Sequence, residues 1–206
     1  MSGLSPTRSA VIELKDERRA MHEGYVFLDE KCLLLAGEIL RQLAVLADLQ
    51  RTMAAAQQAA LAQLQAAVAR HGLHGLQVYP PADAAGLALQ ILPATLMGVT
   101  LQQATLDGPV AVAPQAVNAS PEAEACRAAF AAVLRAAAPL AAVCGNLERL
   151  SAEYRRSVRR ARALQDVMLP ELDRSITDIE GRLEELEQED AIWMRQGARH
   201  ANNPSP

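Results

Sequence analysis

Residues 14–67 read LKDERRAMHEGYVFLDEKCLLLAGEILRQLAVLADLQRTMAAAQQAALAQLQAA. Steps of four and three from Leu14 land on Leu14, Arg18, Met21, Tyr25, Leu28, Cys32, Leu35, Ile39, Gln42, Leu46, Leu49, Met53, Ala56, Ala60, Gln63 and Ala67. Thirteen of these sixteen are apolar. An apolar period near 3.5 held over seven heptads is the pattern of a coiled-coil seam. Some 60 helical residues would span about 90 Å at ~1.5 Å each, a length for which a compact bundle has no use.

Composition agrees. Of 206 residues 41 are Ala and only 6 are aromatic. Alanine has the highest helix propensity but buries little area, so long helices meeting along narrow seams fit better than a bulky core. A second seam runs Tyr154, Val158, Ala161, Gln165, Met168, Leu172, Ile176, Ile179, Leu183, Leu186, Asp190, Trp193. Two successive steps of four around Leu172 form a stutter, and Pro170 beside it predicts a modest kink. Pro139 is a second place for a break or bend. Ser120-Pro121-Glu122 predicts a helix start, with Ser as N-cap and Pro at the first helical position.

Between the two helical flanks the punctuation is dense. Residues 72–121 hold 5 of the 11 Gly and 6 of the 11 Pro, and no Lys or Arg stands between Arg70 and Arg127. Gly86–Leu92 alternates apolar residues, Met97–Gln102 can pair back on it, and Pro93–Leu96 is the expected turn. The fold class is therefore all-α: a long antiparallel two-helix coiled coil with a small β-hairpin-containing insert. Its parts are an N-terminal helix 9–71, an insert 72–120, a C-terminal helix 121–197 and a frayed tail 198–206. Charge favours the antiparallel arrangement. Lys15, Arg18 and Arg19 would meet Glu184, Glu185, Glu187, Glu189 and Asp190, and Glu30 and Glu38 would fall near the arginines of 155–162.

Several function classes are excluded. Net charge is −4 with pI about 5.6, so no global positive field draws the chain to nucleic acid or anionic lipid. The start MSGLSPTRSA lacks the apolar core of a secretory signal, and no run of about 18 uncharged apolar residues of spanning quality is expected outside 71–106, a stretch that Gly and Pro break. Cys32, Cys126 and Cys144 are too few and too scattered for a disulfide framework and read as reduced thiols. No phosphate loop, nucleophile motif or cofactor-binding pattern occurs. His71 and His74 have ligand-like spacing, but no acid or Cys completes a metal site. No catalytic residue, cofactor or metal is expected.

One segment stands out for recognition. Arg155, Arg156, Arg159, Arg160 and Arg162 put five arginines in eight residues. They ring the helix, and a neighbouring helix covers only about a third of that circumference. A charged collar facing a partner protein is the functional reading. A run partly paired with the adjacent helix and otherwise solvated is the plain one. No aromatic residues interleave as nucleic-acid stacking would require.

Three blocks carry a family resemblance. They are Ser5-Pro6-Thr7-Arg8 with Leu14-Lys15, Gly24, Leu28, Lys31 and Leu35; Met97-Gly98-Val99; and Arg159 through Pro170 followed by Leu183-Glu184-Glu185 and Gln188-Glu189-Asp190. In this order they resemble the D subunit of the V/A-type rotary ATPases. The resemblance implies a non-catalytic central-stalk rotor subunit that couples ATP synthesis or hydrolysis to proton or sodium transport. Implied partners are the catalytic and non-catalytic nucleotide-binding subunits of the headpiece ring, the small F subunit, and the funnel-shaped subunit on the membrane rotor ring. It implies a cytoplasmic location, peripheral to the cell membrane, with no direct span. Met97 and Val99 join the arginines as expected partner contacts. A coiled-coil scaffold and a prefoldin-like holdase are the alternative readings of the same helix–hairpin–helix pattern.

Overall fold

The structure, a computed structural model, describes residues 7–80, 86–108, 116 and 119–201, the last five by backbone alone. In order it contains α1 (Arg8–Gln77), β1 (Ala88–Leu96), β2 (Val99–Asp107), α2 (Pro121–Ala163), a π turn (Leu164–Met168) and α3 (Leu169–Ala201). The two strands form an antiparallel hairpin. The fold is thus the all-α class with a hairpin insert. Residues 202–206 of the tail expected to fray lie outside the described residues. The chain divides into two compact units, Met1–Cys32 with Arg156–Pro206, and Leu33–Arg155.

The heptad of α1 is visible in its burial. Of the sixteen seam positions only Arg18 is exposed. C-terminal to Val11 every buried residue of α1 stands on the seam: Leu35, Gln42, Ala60 and Ala67. The helix keeps its geometry except at Gly72, where φ is 70° and ψ 165°.

In the first unit, Val11, Ile176 and Ile179 are buried, with Leu14 and Leu183 packed against them. Ion pairs flank this layer: Arg8 with Glu187 at 2.6 Å, Lys15 with Glu180 at 2.6 Å, and Arg18 with Asp173. The order is antiparallel, as charge predicts. The register differs from the expected one. Lys15 and Arg18 meet Glu180 and Asp173 rather than 184–190, and Arg19 turns to Asp16 on its own helix. The apolar layer sets the register, because exposed pairs contribute only about 0–1 kcal/mol each.

The second seam is corrected in two places. Gln165 and Met168 are exposed, and the π turn explains why. Leu169 N–H reaches back five residues to the Leu164 carbonyl, so one extra residue is accommodated in that turn. Leu164 then faces α1, its Cδ1 3.8 Å from where a Cβ on Gly24 would lie. Leu186, Asp190 and Trp193 are also exposed. Arg8 at the start of α1 meets Glu187, so among the described residues of this unit none of α1 lies opposite α3 further on.

In the second unit, Leu35, Val99, Leu101 and Leu150 form the core, with Ile39, Leu96, Met97 and Tyr154 around them. The hairpin is longer than expected and turns elsewhere. Leu96 pairs with Val99, so the loop is Met97-Gly98, with φ of 48° and 83°. Two positive φ values are the signature of the hairpin turn whose twist matches the strands, and Gly adopts it without strain. Pro93, expected in the turn, lies within β1 opposite Gln102. Counting from the turn, that pair is non-hydrogen-bonded, so the missing N–H of Pro93 leaves no gap in the ladder.

The Gln102 main chain points away from β1 and is met from α2. Asn146 Oδ1 accepts from Gln102 N–H at 2.8 Å, and Asn146 Nδ2 donates to the Gln102 carbonyl at 2.8 Å. The start of α2 is as predicted: Ser120 Oγ accepts from Ala123 N–H at 3.2 Å and Pro121 opens the helix. Pro139 sits inside α2 without ending it. By length and composition, one window in Pro121–Gln196 could span a membrane, with mean hydropathy 1.7 and 17% buried. Every 18-residue window there contains a charged residue, so the expectation of no uncharged spanning run outside 71–106 is unaffected. The helix is alanine-rich near its start, and alanine counts as apolar while burying little area.

Candidate interaction surface

Arg155, Arg156, Arg159, Arg160 and Arg162 are all exposed. Helical spacing puts 155, 159 and 162 side by side with 156 and 160, one arc on the side of the helix away from the seam of Tyr154, Val158 and Ala161. Arg155 belongs to the second unit, beside Glu148 and Ser151; the other four belong to the first. Glu38, expected near this run, is used elsewhere. Its carboxylate accepts from Arg41 at 2.6 and 2.8 Å and from Gln42 Nε2 at 2.8 Å. The Arg41 guanidinium holds the Glu38 carboxyl below its ordinary pKa. Glu30 is exposed.

Met97 and Val99 come together on the core of the second unit. Val99 is 6% exposed, with Leu35 and Leu150 in the same cluster, and Met97 is half-buried beside it. The hairpin surface offered outward is instead β1, where Leu89, Ile91 and Leu92 are at least half exposed.

His71 and the groups around the start of α2 have structural partners. His71 Nε2 lies 2.6 Å from Ser120 Oγ, and Tyr79 Oη accepts from Ser120 N–H at 2.9 Å. Arg127 lies over the Tyr79 ring, 5.2 Å from its centroid, and donates to the Pro80 carbonyl. His71 is thus tied to the N-cap of α2, and His74 is exposed. Among the described residues no group of three or more His, Cys, Asp or Glu could hold a metal ion. Burial pushes the Cys32 and Cys126 thiols up, which disfavours the reactive thiolate.

Two features escape a sequence reading. One is the Asn146 clamp, whose only signal is a polar residue at seam spacing between Val143 and Leu150. The other is the run Ile192, Trp193 and Met194, exposed by 53%, 73% and 72%. The heptad puts Trp193 on the seam, and its exposure departs from that pattern. Twenty-one large hydrophobic side chains stand exposed among the described residues, while only two, Leu35 and Leu150, are fully buried. Exposed apolar area on this scale is the kind of surface found at protein–protein contacts.

Two antiparallel helical flanks, a packed hairpin and a surface of exposed arginine and aliphatic groups define a helical assembly subunit. Comparison with known families specifies it further. Residues 10–196 match the family model of the ATP synthase D subunit, and the chain belongs to that family. It is 24% identical over 193 residues to the D subunit of a V-type ATP synthase from Thermotoga neapolitana, covering 93% of this chain and 95% of that one. To the D subunit of an A-type ATP synthase from Methanopyrus kandleri it is 23% identical over 198 residues, covering 95% and 85%.

Proposed function

We propose that this chain is the central-stalk rotor shaft of a V/A-type rotary ATP synthase, coupling nucleotide chemistry in the headpiece to proton or sodium transport. It is non-catalytic in this reading and carries torque. Its partners are the catalytic and non-catalytic nucleotide-binding subunits, the F subunit and the funnel-shaped subunit on the membrane rotor ring. It works on the cytoplasmic side, peripheral to the membrane. The observation that carries the reading is the exposed apolar and arginine surface on a chain of this family. Torque transfer needs a shaft with an asymmetric surface that favours different states of its neighbours in turn. The arginines and the one-sided hairpin supply that asymmetry.

The test is reconstitution with the headpiece and membrane sectors of the same source. With the chain present, ATP hydrolysis should drive ion uptake into vesicles. Without it, hydrolysis should continue uncoupled or the sectors should fail to join. Equal coupling with and without the chain would refute the proposal. Suppression of client-protein aggregation by the chain alone would point to a holdase instead.

A further inference from the structure

We infer that the outer edge of β1, at Leu89 and Ile91, takes an added strand: an extended, uncharged segment of a neighbouring subunit. The site lies wholly within the second unit. It deepens the proposed function and rests on that reading for the existence of a neighbour.

The free edge follows from the register. Counted from the turn at Met97-Gly98, Leu89, Ile91, Pro93 and Thr95 fall on non-hydrogen-bonded pairs, so their main-chain groups point away from β2. The corresponding edge of β2 turns to α2, where Asn146 holds Gln102 and Arg135 donates to the Gly108 carbonyl at 3.0 Å. β1 is exposed at every position from Ala88 to Thr95.

This edge is open to pairing. Edge strands are kept apart by charge, bulges, cover or proline. No Asp, Glu, Lys or Arg occurs from 84 to 106, and the strand pairs run one to one with no bulge. Pro93 removes a donor at its own position only. The donors and acceptors of Leu89 and Ile91 are left for a partner. The hairpin also lacks support there. Its turn end rests on Leu35 and Leu150 through Val99 and Leu101. Away from the turn Leu89, Ile91 and Leu92 are at least half exposed, and a two-stranded ribbon without packing is marginal in water.

The main-chain groups select a strand as occupant, since only an extended chain matches their spacing. The absence of charge selects an uncharged one, because a charged side chain laid against this edge would lose water and gain no counter-ion. Contact area selects a neighbouring subunit over a second copy. So short an edge buries well below the ~1,000 Å² that a self-standing interface clears. The strand therefore belongs to a chain already held to this one by other contacts.

The test uses the full chain, free and in the reconstituted complex, with hydrogen exchange over 88–92 read by mass spectrometry. The amides of Leu89 and Ile91 should exchange readily in the free chain and slow about tenfold or more in the complex. Ile91→Pro removes the outward donor at a position where the β1–β2 ladder loses no bond, as Pro93 already does. It should keep the circular dichroism spectrum of the free chain. In competition with the parent chain for a limiting headpiece, its incorporation should fall about tenfold. Ile91→Thr keeps the donor and should incorporate like the parent. Leu89→Pro serves in its place if Ile91→Pro folds poorly. Equal exchange in the free and assembled chain, or undiminished incorporation of the proline variants, overturns the inference and leaves the proposed function standing. Protection that grows with the concentration of the free chain makes the occupant a second copy and overturns it too. A chain that joins no complex at all overturns the proposed function and this inference with it.

Discussion

At Asn146 a single amide takes the place of a neighbouring strand. It is 2% exposed and satisfies both main-chain groups of Gln102, while Arg149 donates to the same oxygen at 2.7 Å. Asn146→Ala leaves a donor and an acceptor without partners, and an unmade buried bond costs about 1–3 kcal/mol. We expect a loss of about 2–4 kcal/mol in urea unfolding, with roughly half retained in Asn146→Asp, which keeps an acceptor but loses the donor. The arginines are the opposite case. Exposed Arg contributes little to folding but pairs well with carboxylates at an interface. Arg159→Gln with Arg162→Gln should barely move the melting temperature of the free chain. The same double substitution should weaken assembly or uncouple hydrolysis from ion transport, with an effect that shrinks in high salt. Unchanged assembly at low salt would show that the run is only a solvated face. The arginine run is legible in the sequence because five charges in eight residues cannot all be covered by one neighbour. The role of Asn146 is not, since it depends on a main chain 44 positions away.

Among the elements, the helices are readable because their information is local and repeated. Sixteen seam positions vote on one period, and a single Arg18 does not change the result. The hairpin turn has no such redundancy. Pro93 is a strong turn signal by itself, and local chemistry alone puts it in the loop. The actual loop follows from Met97 and Gly98 taking positive φ, with Met97 held beside Val99 and Leu96 on the helices. The hairpin sits on the helix pair without forming it. Replacing 88–107 by a short Gly/Ser link uncovers Leu35 and Leu150, which Val99 and Leu101 now shield. The expected result is a lower melting temperature with helical content largely kept at low temperature. A collapse of the helical circular dichroism signal would show instead that the insert is needed to nucleate the pair. Gly98→Ala meets no atom within 4 Å, so its cost is the left-handed backbone alone, about 1–2 kcal/mol.

For the whole molecule, assembly is readable through one reporter. Trp193 is the sole tryptophan and is 73% exposed. In the free chain it should emit like indole in water and be quenched freely by iodide. On reconstitution with the headpiece the emission should shift to shorter wavelength and quenching should fall. An unchanged spectrum in a fully assembled complex would place Ile192, Trp193 and Met194 outside every interface. The sequence by itself determined the helical class, the antiparallel order, the N-cap at Ser120 and the presence of a hairpin. Periodicity and capping chemistry act over a few neighbouring residues, and the blocks of charge set the order of the helices by sign alone, without their exact alignment. Only the tertiary structure decided the ion-pair register, the π turn before Pro170, the loop at Met97-Gly98 and the exposure of Trp193. Those depend on which apolar layer seats first and where the partner helix ends. Layers such as Val11 with Ile176 and Ile179 join residues more than 160 positions apart, and no local pattern encodes their alignment.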